Sequence, residues 1–344
     1  MDQTRQNKRL EKFLKWSSEM AIRHDGVDIT SSGSGYLSLT VSKGFDKEAL
    51  VVDVPREAVL SLDFADQCFS LRVIFENDEM IKAMDNVGLV MVLAHEILIG
   101  EQSSWSAYLN ILPNSFTTPL FYTLEQLQTL KPSPIFEDAL NMYRSVARQF
   151  VYFYLRIMGD SKHVNKKNRL NTAEKAPFLW VLLRQITLVS SSTGGVCQWY
   201  QLKSGKQPDL VPSLIPFIDL ANHGQSAFES VNTALQPNQE VLIYYGVRNN
   251  LKFLLHNGFV PPLPNPYNTY EIKFGLPKST DCEFKVRYLK EHHMMPYTKN
   301  VYHFVLEPCQ YTLHASFLLQ FGCAFVAQTQ EQLENGVEHK AKNL

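Results

Sequence analysis

Ile215-Pro-Phe-Ile-Asp-Leu-Ala-Asn-His223, followed after a short connection by Val241-Leu-Ile-Tyr-Tyr-Gly246, is the pair of segments that decides the fold. The first is an apolar run that stops on Asp219, Asn222 and His223, three side chains able to hydrogen-bond a small polar ligand from the end of a buried segment. The second is rich in β-formers and closes on Gly246, which predicts a strand that leaves the phenol of Tyr245 at a strand-to-turn corner. Beyond it, Arg248, Asn249 and Asn250 lead into Leu251, Phe253, Leu254 and Leu255 at helical spacing, and Asn257-Gly258 supplies a helix stop.

The chain around these segments has 344 residues, enough for two or three domains. Hydrophobic residues make up 45%, charged residues 19%, and the formal net charge is -1. That balance describes a soluble globular protein and favours neither a nucleic acid nor an anionic membrane as partner. Five cysteines are scattered without a Cys-x-x-Cys pair, so the sequence implies neither a disulfide framework nor a zinc cluster, and a reducing compartment is expected. Met1 to Leu10 is polar and charged, and the longest apolar runs are broken by His95 and Glu96 or by Arg156. Neither secretion nor membrane spanning is expected.

At the amino end, Leu10, Phe13, Leu14, Met20 and Ala21 recur at helical spacing, which predicts an amphipathic helix from Gln6 to Arg23 stopped by Gly26. A small-residue loop, Thr30 to Tyr36, then feeds a predicted hairpin of Leu37, Leu39 and Val41 against Ala49 to Val54, closed by Pro55. Such a loop lets a backbone approach a ligand closely, and it is equally a plain turn.

From Met80 to about Lys175 the period becomes helical. Met84, Val87, Val90, Met91, Ala94 and Leu98 form one apolar face, and Leu140, Tyr143, Val146, Ala147, Phe150, Tyr154 and Ile157 another. A helical block inside a β-rich chain suggests an inserted subdomain. Lys162, Lys166, Lys167, Arg169 and Lys175 follow as a basic loop, either a solvated face or a surface that steers toward an acidic protein. Phe178 to Thr187 reads as a further apolar helix, and Arg184 on it needs a carboxylate or a polar ligand to offset its burial.

Past Phe259, the run Pro261 to Pro266 can be neither helix nor central strand and marks a domain boundary. Tyr270 to Leu276 reads as a short strand, and Glu283 to His292 and Leu313 to Phe325 as helices. His292 and His293 point different ways along a helix, so no metal site is read there.

Taken together, Pro216-Phe217-Ile218-Asp219, Asn222-His223, the Tyr245-Gly246 corner and His256-Asn-Gly-Phe259 resemble the carboxyl half of the SET-domain protein methyltransferases. The alternative is a strand, a turn and a helix whose Asn-His merely caps. Leu112-Pro113, Thr118-Pro-Leu-Phe-Tyr122 and Ala147-Arg-Gln-Phe-Val-Tyr-Phe-Tyr154 are similar to the inserted helical region of the actin-histidine methyltransferase branch, a relative of the Rubisco lysine methyltransferases. The likeness runs over most of residues 10 to 330.

What the resemblance implies is an α+β fold, a SET-domain β-fold with an inserted α-helical subdomain and a short, mostly helical carboxyl-terminal region that binds substrate. Its parts would be residues 1-79, the amino-terminal helix and first part of the SET domain; 80-205, the helical insert; 206-262, the second part of the SET domain; and 263-344, a partial substrate-binding domain. The implied cofactor is S-adenosylmethionine, with no metal. It would be held by Ser34, Gly35 and Tyr36 of the glycine turn, by Arg184, by Asp219, Leu220, Ala221, Asn222 and His223, and by Asn257, Gly258 and Phe259. Tyr245 takes the catalytic position. Arg248 matches a substrate-contacting arginine. Ile218 stands where the family has Trp, and Ile186 where the branch has Asn, both in the substrate pocket. The connection Gly224 to Gln239 is shorter than the family's, which predicts a missing strand.

The implied function is methyl transfer to a protein side chain, a histidine of actin first, a protein lysine second, and a catalytically silent SET-like binding module third. A monomer is expected, acting on a protein without nucleic acid or membrane, in the cytoplasm and as a second compartment the nucleus.

Overall fold

The computed structural model describes residues 3-31, 36-66, 68, 71-72, 78, 85-113, 116-158, 198-202, 209-224, 234-262, 264-276, 282-291, 293-294 and 301-306. Two compact units divide the chain, Met1-Gly246 with Leu251-Val260, and Val247-Asn250 with Pro261-Leu344.

The first unit opens on helix α1, Gln3-Glu19, which buries Phe13, Trp16 and Ser17 with Leu10 and Leu14 beside them. Its stop is Ala21, not Gly26. Ala21 takes the left-handed conformation (φ 57°) while the Ile22 N-H bonds back to the Ser17 carbonyl and the Ala21 N-H to that of Ser18. This satisfies carbonyls that the helix end leaves open, and Ile22 is buried as the accompanying apolar contact.

Strands β1 (Val27-Ser31) and β2 (Leu37-Val41) pair antiparallel, with Val27 opposite Val41 and Ser31 opposite Leu37. The expected partner, Ala49 to Val54, is not a strand; its one ladder contact is a bridge from Asp53 to Arg23. Val27 and Ile29 sit on one face of β1 and match Leu39 and Val41 of β2, so burial of that face decides the pairing. The other edge of β2 receives the connection after His223: the Val41 N-H donates to Gln239, the Val241 N-H to Leu39, and Phe45 and Leu235 exchange backbone bonds. The short connection thus joins the two halves of the chain through backbone pairing.

Leu60-Ser61 (β3) pairs with β5 (Asp209-Leu214), which pairs in turn with β4 (Gln198-Leu202), all antiparallel. Helix α2 (Asp85-Ile99) lies in the core. Leu89 to Ala94 are buried without a break, as expected of a helix surrounded by protein. Short helices α3 (Ser106-Leu109) and α4 (Leu124-Gln128) lie within the stretch between the two expected helical faces, and Thr123 starts α4 with a capping box to Gln126. Helix α5 (Ile135-Met158) buries Ala139, Val146 and Phe153 with Met142, Tyr143 and Phe150, whereas Ala147 and Tyr154 of the expected face are exposed. One core holds Phe13, Val27, Leu39, Leu60, Met91, Val146 and Phe217, so the helices and strands of this unit are stabilised by the same burial.

In the second unit β8 (Tyr270-Gly275) pairs antiparallel with β9 (Val301-Leu306), and α7 (Cys282-Glu291) packs Leu289 on Tyr302 and Phe304. Strand β9 is an element that the sequence reading did not expect there. Its buried Tyr302 and Phe304, two residues apart, with exposed Val305 between Phe304 and the strand end, follow a period of 2, short enough to escape a reading that looks for helical spacing. The helices expected at Phe178 to Thr187 and Leu313 to Phe325 lie outside the described residues. Among the described residues no helix is long and apolar enough to cross a membrane.

Candidate active site

The polar end of Ile215-His223 is built by a sharp change of direction. Strand β5 delivers the chain to Phe217, which takes φ 67° and ψ -50°, and a single turn of 3-10 helix, Ile218-Leu220, follows. A non-glycine residue holds that conformation only where its surroundings over-determine it. Here the Phe217 ring is fully buried, 4.4 Å from the imidazole of His24 and 5.2 Å from Phe13. Asn222-His223 then forms β6, which runs parallel to β7 (Leu242-Ile243), with Asn222 opposite Leu242 and His223 opposite Ile243. The strand expected over Val241 to Tyr245 is shortened to those two residues, because Tyr244 and Tyr245 turn away toward Gly246 at φ 93°.

This pairing brings Tyr245 onto the first segment. Its hydroxyl donates to the Ala221 carbonyl at 2.8 Å, and its backbone N-H donates to Nδ1 of His223 at 3.3 Å. Accepting at Nδ1 leaves the proton of a neutral His223 ring on Nε2. Around the imidazole stand the rings of Phe253 (4.6 Å), Tyr245 (5.2 Å), Tyr244 (5.8 Å) and Phe259 (6.2 Å). Asn222 is exposed, and its amide donates to Glu240 at 2.5 Å.

Phe253 comes from helix α6 (Asn250-Asn257), which ends at Gly258 with φ 78°. A Cβ there would lie 2.4 Å from Oγ1 of Thr117 and 2.8 Å from the Thr118 nitrogen, so only glycine lets the turn close against Thr117-Thr118. Asn257 and Phe259 are held at the site by that contact and by the tilted Phe253-Phe259 ring pair at 5.3 Å.

Below the corner lies Asp219. The Tyr108 hydroxyl donates to its Oδ2, while Oδ1 is enclosed and has no hydrogen-bond partner. Burial pushes the carboxyl up to about 7, a rise that the Tyr108 bond partly offsets. Leu220 and Ala221 are buried, and Ile218 is half-buried.

The structure therefore gathers Asp219, Leu220, Ala221, Asn222, His223, Tyr245, Asn257, Gly258 and Phe259. Tyr36 is exposed, and Ser34, Gly35, Arg184 and Ile186 lie outside the described residues. Arg248 falls in the second unit, where its carbonyl accepts from Asn265 at 3.0 Å. Tyr108, Glu240, Phe253 and Thr117 join the site without having been singled out by the sequence. Tyr108 carries no local signal. Phe253 reads only as helix packing, and Glu240 as the end of a connection. Among the described residues no group of side chains is placed to hold a metal.

Compared with solved structures, the chain superposes on Rubisco LSMT bound to AdoMet with a TM-score of 0.67 and 17% identity, over 93% of this chain and 71% of that one. The same score is reached with the SET domain of LSMT bound to lysine and AdoHcy. The fold is that of the SET-domain methyltransferases. In sequence, the chain is similar to actin-histidine N-methyltransferase of Drosophila melanogaster, 27% identical over 80% of this chain and 53% of that protein, and of Rattus norvegicus, 25% over 78% and 44%. The SET-fold chain thus spans about half the length of the curated relatives it matches. No family model matches it.

Proposed function

We propose that this chain is an S-adenosylmethionine-dependent protein methyltransferase whose first substrate is a histidine of actin. The observation that carries the reading is the Tyr245 hydroxyl on the Ala221 carbonyl, in a corner that also holds Asn222 and His223. Similarity to actin-histidine methyltransferases over about four fifths of the chain supports the acceptor.

The residues fit such a cofactor. An exposed amide beside a carboxylate, main-chain groups at the ends of the paired strands β6 and β7, and a ring cluster that can face a cation suit a molecule carrying an ammonium, a sulfonium and a nucleoside. S-adenosylmethionine, when bound, supplies a methyl already activated on sulfur. The protein's task is then to hold a neutral nitrogen in line and to exclude water. Asn222, Ala221 and His223 would bind, with Asp219 bracing their turn. Asn257, Gly258 and Phe259 would close the pocket, and Phe253 and Phe259 would keep it dry. The Tyr245 hydroxyl and the Ala221 carbonyl form a fixed polar pair able to orient a methyl group through weak C-H···O contacts. Ser34, Gly35, Tyr36 and Arg184 complete the proposed cofactor set, and Ile186, Ile218 and Arg248 the substrate set.

A lysine acceptor is the second reading, favoured by the half-buried apolar Ile218, which suits an alkyl stem. A silent binding module is the third. We place residues 80-205 as the helical insert and 263-344 as the start of a substrate-binding region, and the protein as a monomer in the cytoplasm, with the nucleus as a second compartment and with no nucleic acid or membrane partner. Calorimetric titration with S-adenosylmethionine, followed by incubation with an actin peptide and mass spectrometry, tests the proposal. Heat and a single added methyl on the histidine are expected. No heat at high protein concentration would leave the silent module.

A further inference from the structure

Away from this corner, a second constellation is built on the buried helix α2. The sulfur of Cys68 lies 3.3 Å from Nε2 of His95, and Nδ1 of His95 lies 2.9 Å from Oε1 of Glu96. Oε2 of Glu96 accepts from the Ser103 hydroxyl at 2.7 Å, and Ser103 Oγ accepts in turn from the backbone N-H of Trp105 at 3.1 Å. Glu96 is almost wholly buried, with 2% of its side chain exposed, whereas His95 keeps 23% and Cys68 is half-buried. The carboxylate is thus fixed at both oxygens, by the Ser103 hydroxyl at one and by the ring at the other. Its natural partner is an Nδ1-H, which leaves the Nε2 lone pair directed at the thiol.

We propose that Cys68 is a nucleophilic thiol, with His95 as its general base and Glu96 as the group that positions the base, and that its reactant is a hydroperoxide. A nucleophile within hydrogen-bond reach of a base that a third group orients is the arrangement by which weak nucleophiles are activated. An acyl group would need hydrogen-bond donors at its oxygen as well. A hydroperoxide needs a thiol, a proton acceptor and access from solvent, and these are what the site supplies. In the step, the sulfur attacks the terminal oxygen of hydrogen peroxide, the S-O bond forms and the O-O bond breaks. Two electrons pass from sulfur to peroxide. The thiol proton moves to Nε2 of His95 and from there to the departing hydroxide, so one peroxide leaves one sulfenic acid at Cys68 and one water. The backbone of Cys68 is anchored for this, its N-H reaching the Phe64 and Ala65 carbonyls and its carbonyl accepting from Arg72 at 2.8 Å.

The experiment treats the reduced 344-residue chain with hydrogen peroxide in the presence of dimedone and follows the adduct at Cys68 by peptide mass spectrometry, natively and in urea. The native chain should label Cys68 at least about tenfold faster than the unfolded one, since a positioned base commonly contributes more than that. His95→Gln should lose most of this advantage with the far-ultraviolet circular dichroism unchanged, Glu96→Gln should lose part of it, and Cys68→Ser should give no adduct at that position. Labelling no faster in the native chain than in urea would overturn the proposal, as would an unchanged rate in His95→Gln. Where His95→Gln does not fold, the native-against-urea comparison of the unsubstituted chain decides alone.

Discussion

The hydroxyl of Tyr108 donates to Oδ2 of Asp219 across 111 positions of sequence, tying the short helix α3 to the turn that carries Asn222 and His223. Tyr108 is fully buried against Phe13 and Trp16, with ring centroids at 6.2 and 6.1 Å, so the amino-terminal helix, α3 and the candidate cofactor turn form one packed unit. The carboxylate at the inner end of that unit is held in its neutral form nearly to pH 7.

A pH dependence of stability follows. The carboxyl of Asp219 titrates near its ordinary value of 3.8 when unfolded and at about 7 when folded. Between these values the native state binds more protons than the unfolded state, so stability falls as pH rises through the window and levels off above it. The full span corresponds to about 4 kcal/mol. Asp219→Asn keeps an acceptor for Tyr108 and removes the ionisation. Urea melts at pH 5 and pH 8 should show the unsubstituted chain losing stability relative to Asp219→Asn at the higher pH. An equal difference at both values would show that Asp219 does not titrate in this window.

Glycine substitutions at the two turns should separate crowding from backbone strain. Gly258 and Gly246 both have positive φ, 78° and 93°, but a Cβ at Gly258 would run into Thr117 and Thr118 while one at Gly246 would meet nothing within 4 Å. Gly246→Ala should cost about 1 kcal/mol from the left-handed backbone alone, and Gly258→Ala about 2-4 kcal/mol once overpacking is added. Denaturant melts of the two variants check the order, and comparable losses would argue that Thr117 yields.

Tyr245→Phe should lower methyl transfer at least about a hundredfold while leaving S-adenosylmethionine binding within a few fold. The hydroxyl removed is the one on the Ala221 carbonyl, and it serves the transition state more than the ground state. Asn222→Ala should instead abolish binding. Calorimetry and single-turnover assays separate the effects, and full turnover by Tyr245→Phe would reduce Tyr245 to a packing residue.

How much of this is legible in the chain depends on the range of the signal. Asn222-His223 and Tyr245 are readable because each ends a local apolar run on polar groups, and the helix over Leu251 to Asn257 because its period and its Gly258 stop are local. Strand choice is not. Ala49 to Val54 has as good a strand composition as Val27 to Ser31, and only the burial of Leu39 and Val41 selects the latter. The end of α1 falls short of the expected Gly26 because a left-handed Ala21 carries no glycine to announce it. Tyr108 and Glu240 owe their places to tertiary contacts that no periodicity encodes.

The last prediction concerns the acceptor. A histidine substrate needs one ring nitrogen free as nucleophile and the other held by a hydrogen-bond partner that fixes the tautomer and the ring plane. In the resembling enzymes that partner is an Asn where this chain has Ile186, and the Trp that precedes their Asp is Ile218 here. Isoleucine makes no hydrogen bond, and a buried imidazole N-H left unpaired costs about 1-3 kcal/mol, roughly ten- to a hundredfold in rate or affinity. Gln185 or a water can offset that. Apolar side chains at these two positions would suit a lysine stem, whose ammonium loses its proton more readily when desolvated. We propose histidine first, on the similarity to the actin-histidine methyltransferases. Incubating the protein and S-adenosylmethionine with an actin peptide carrying the target histidine, and with the same peptide carrying lysine in its place, should give methyl-histidine in the larger yield. Ile186→Asn should then raise the histidine yield about tenfold or more, through the restored hydrogen bond. Methylation of the lysine peptide alone, with the histidine peptide untouched even in Ile186→Asn, would overturn the histidine proposal in favour of lysine.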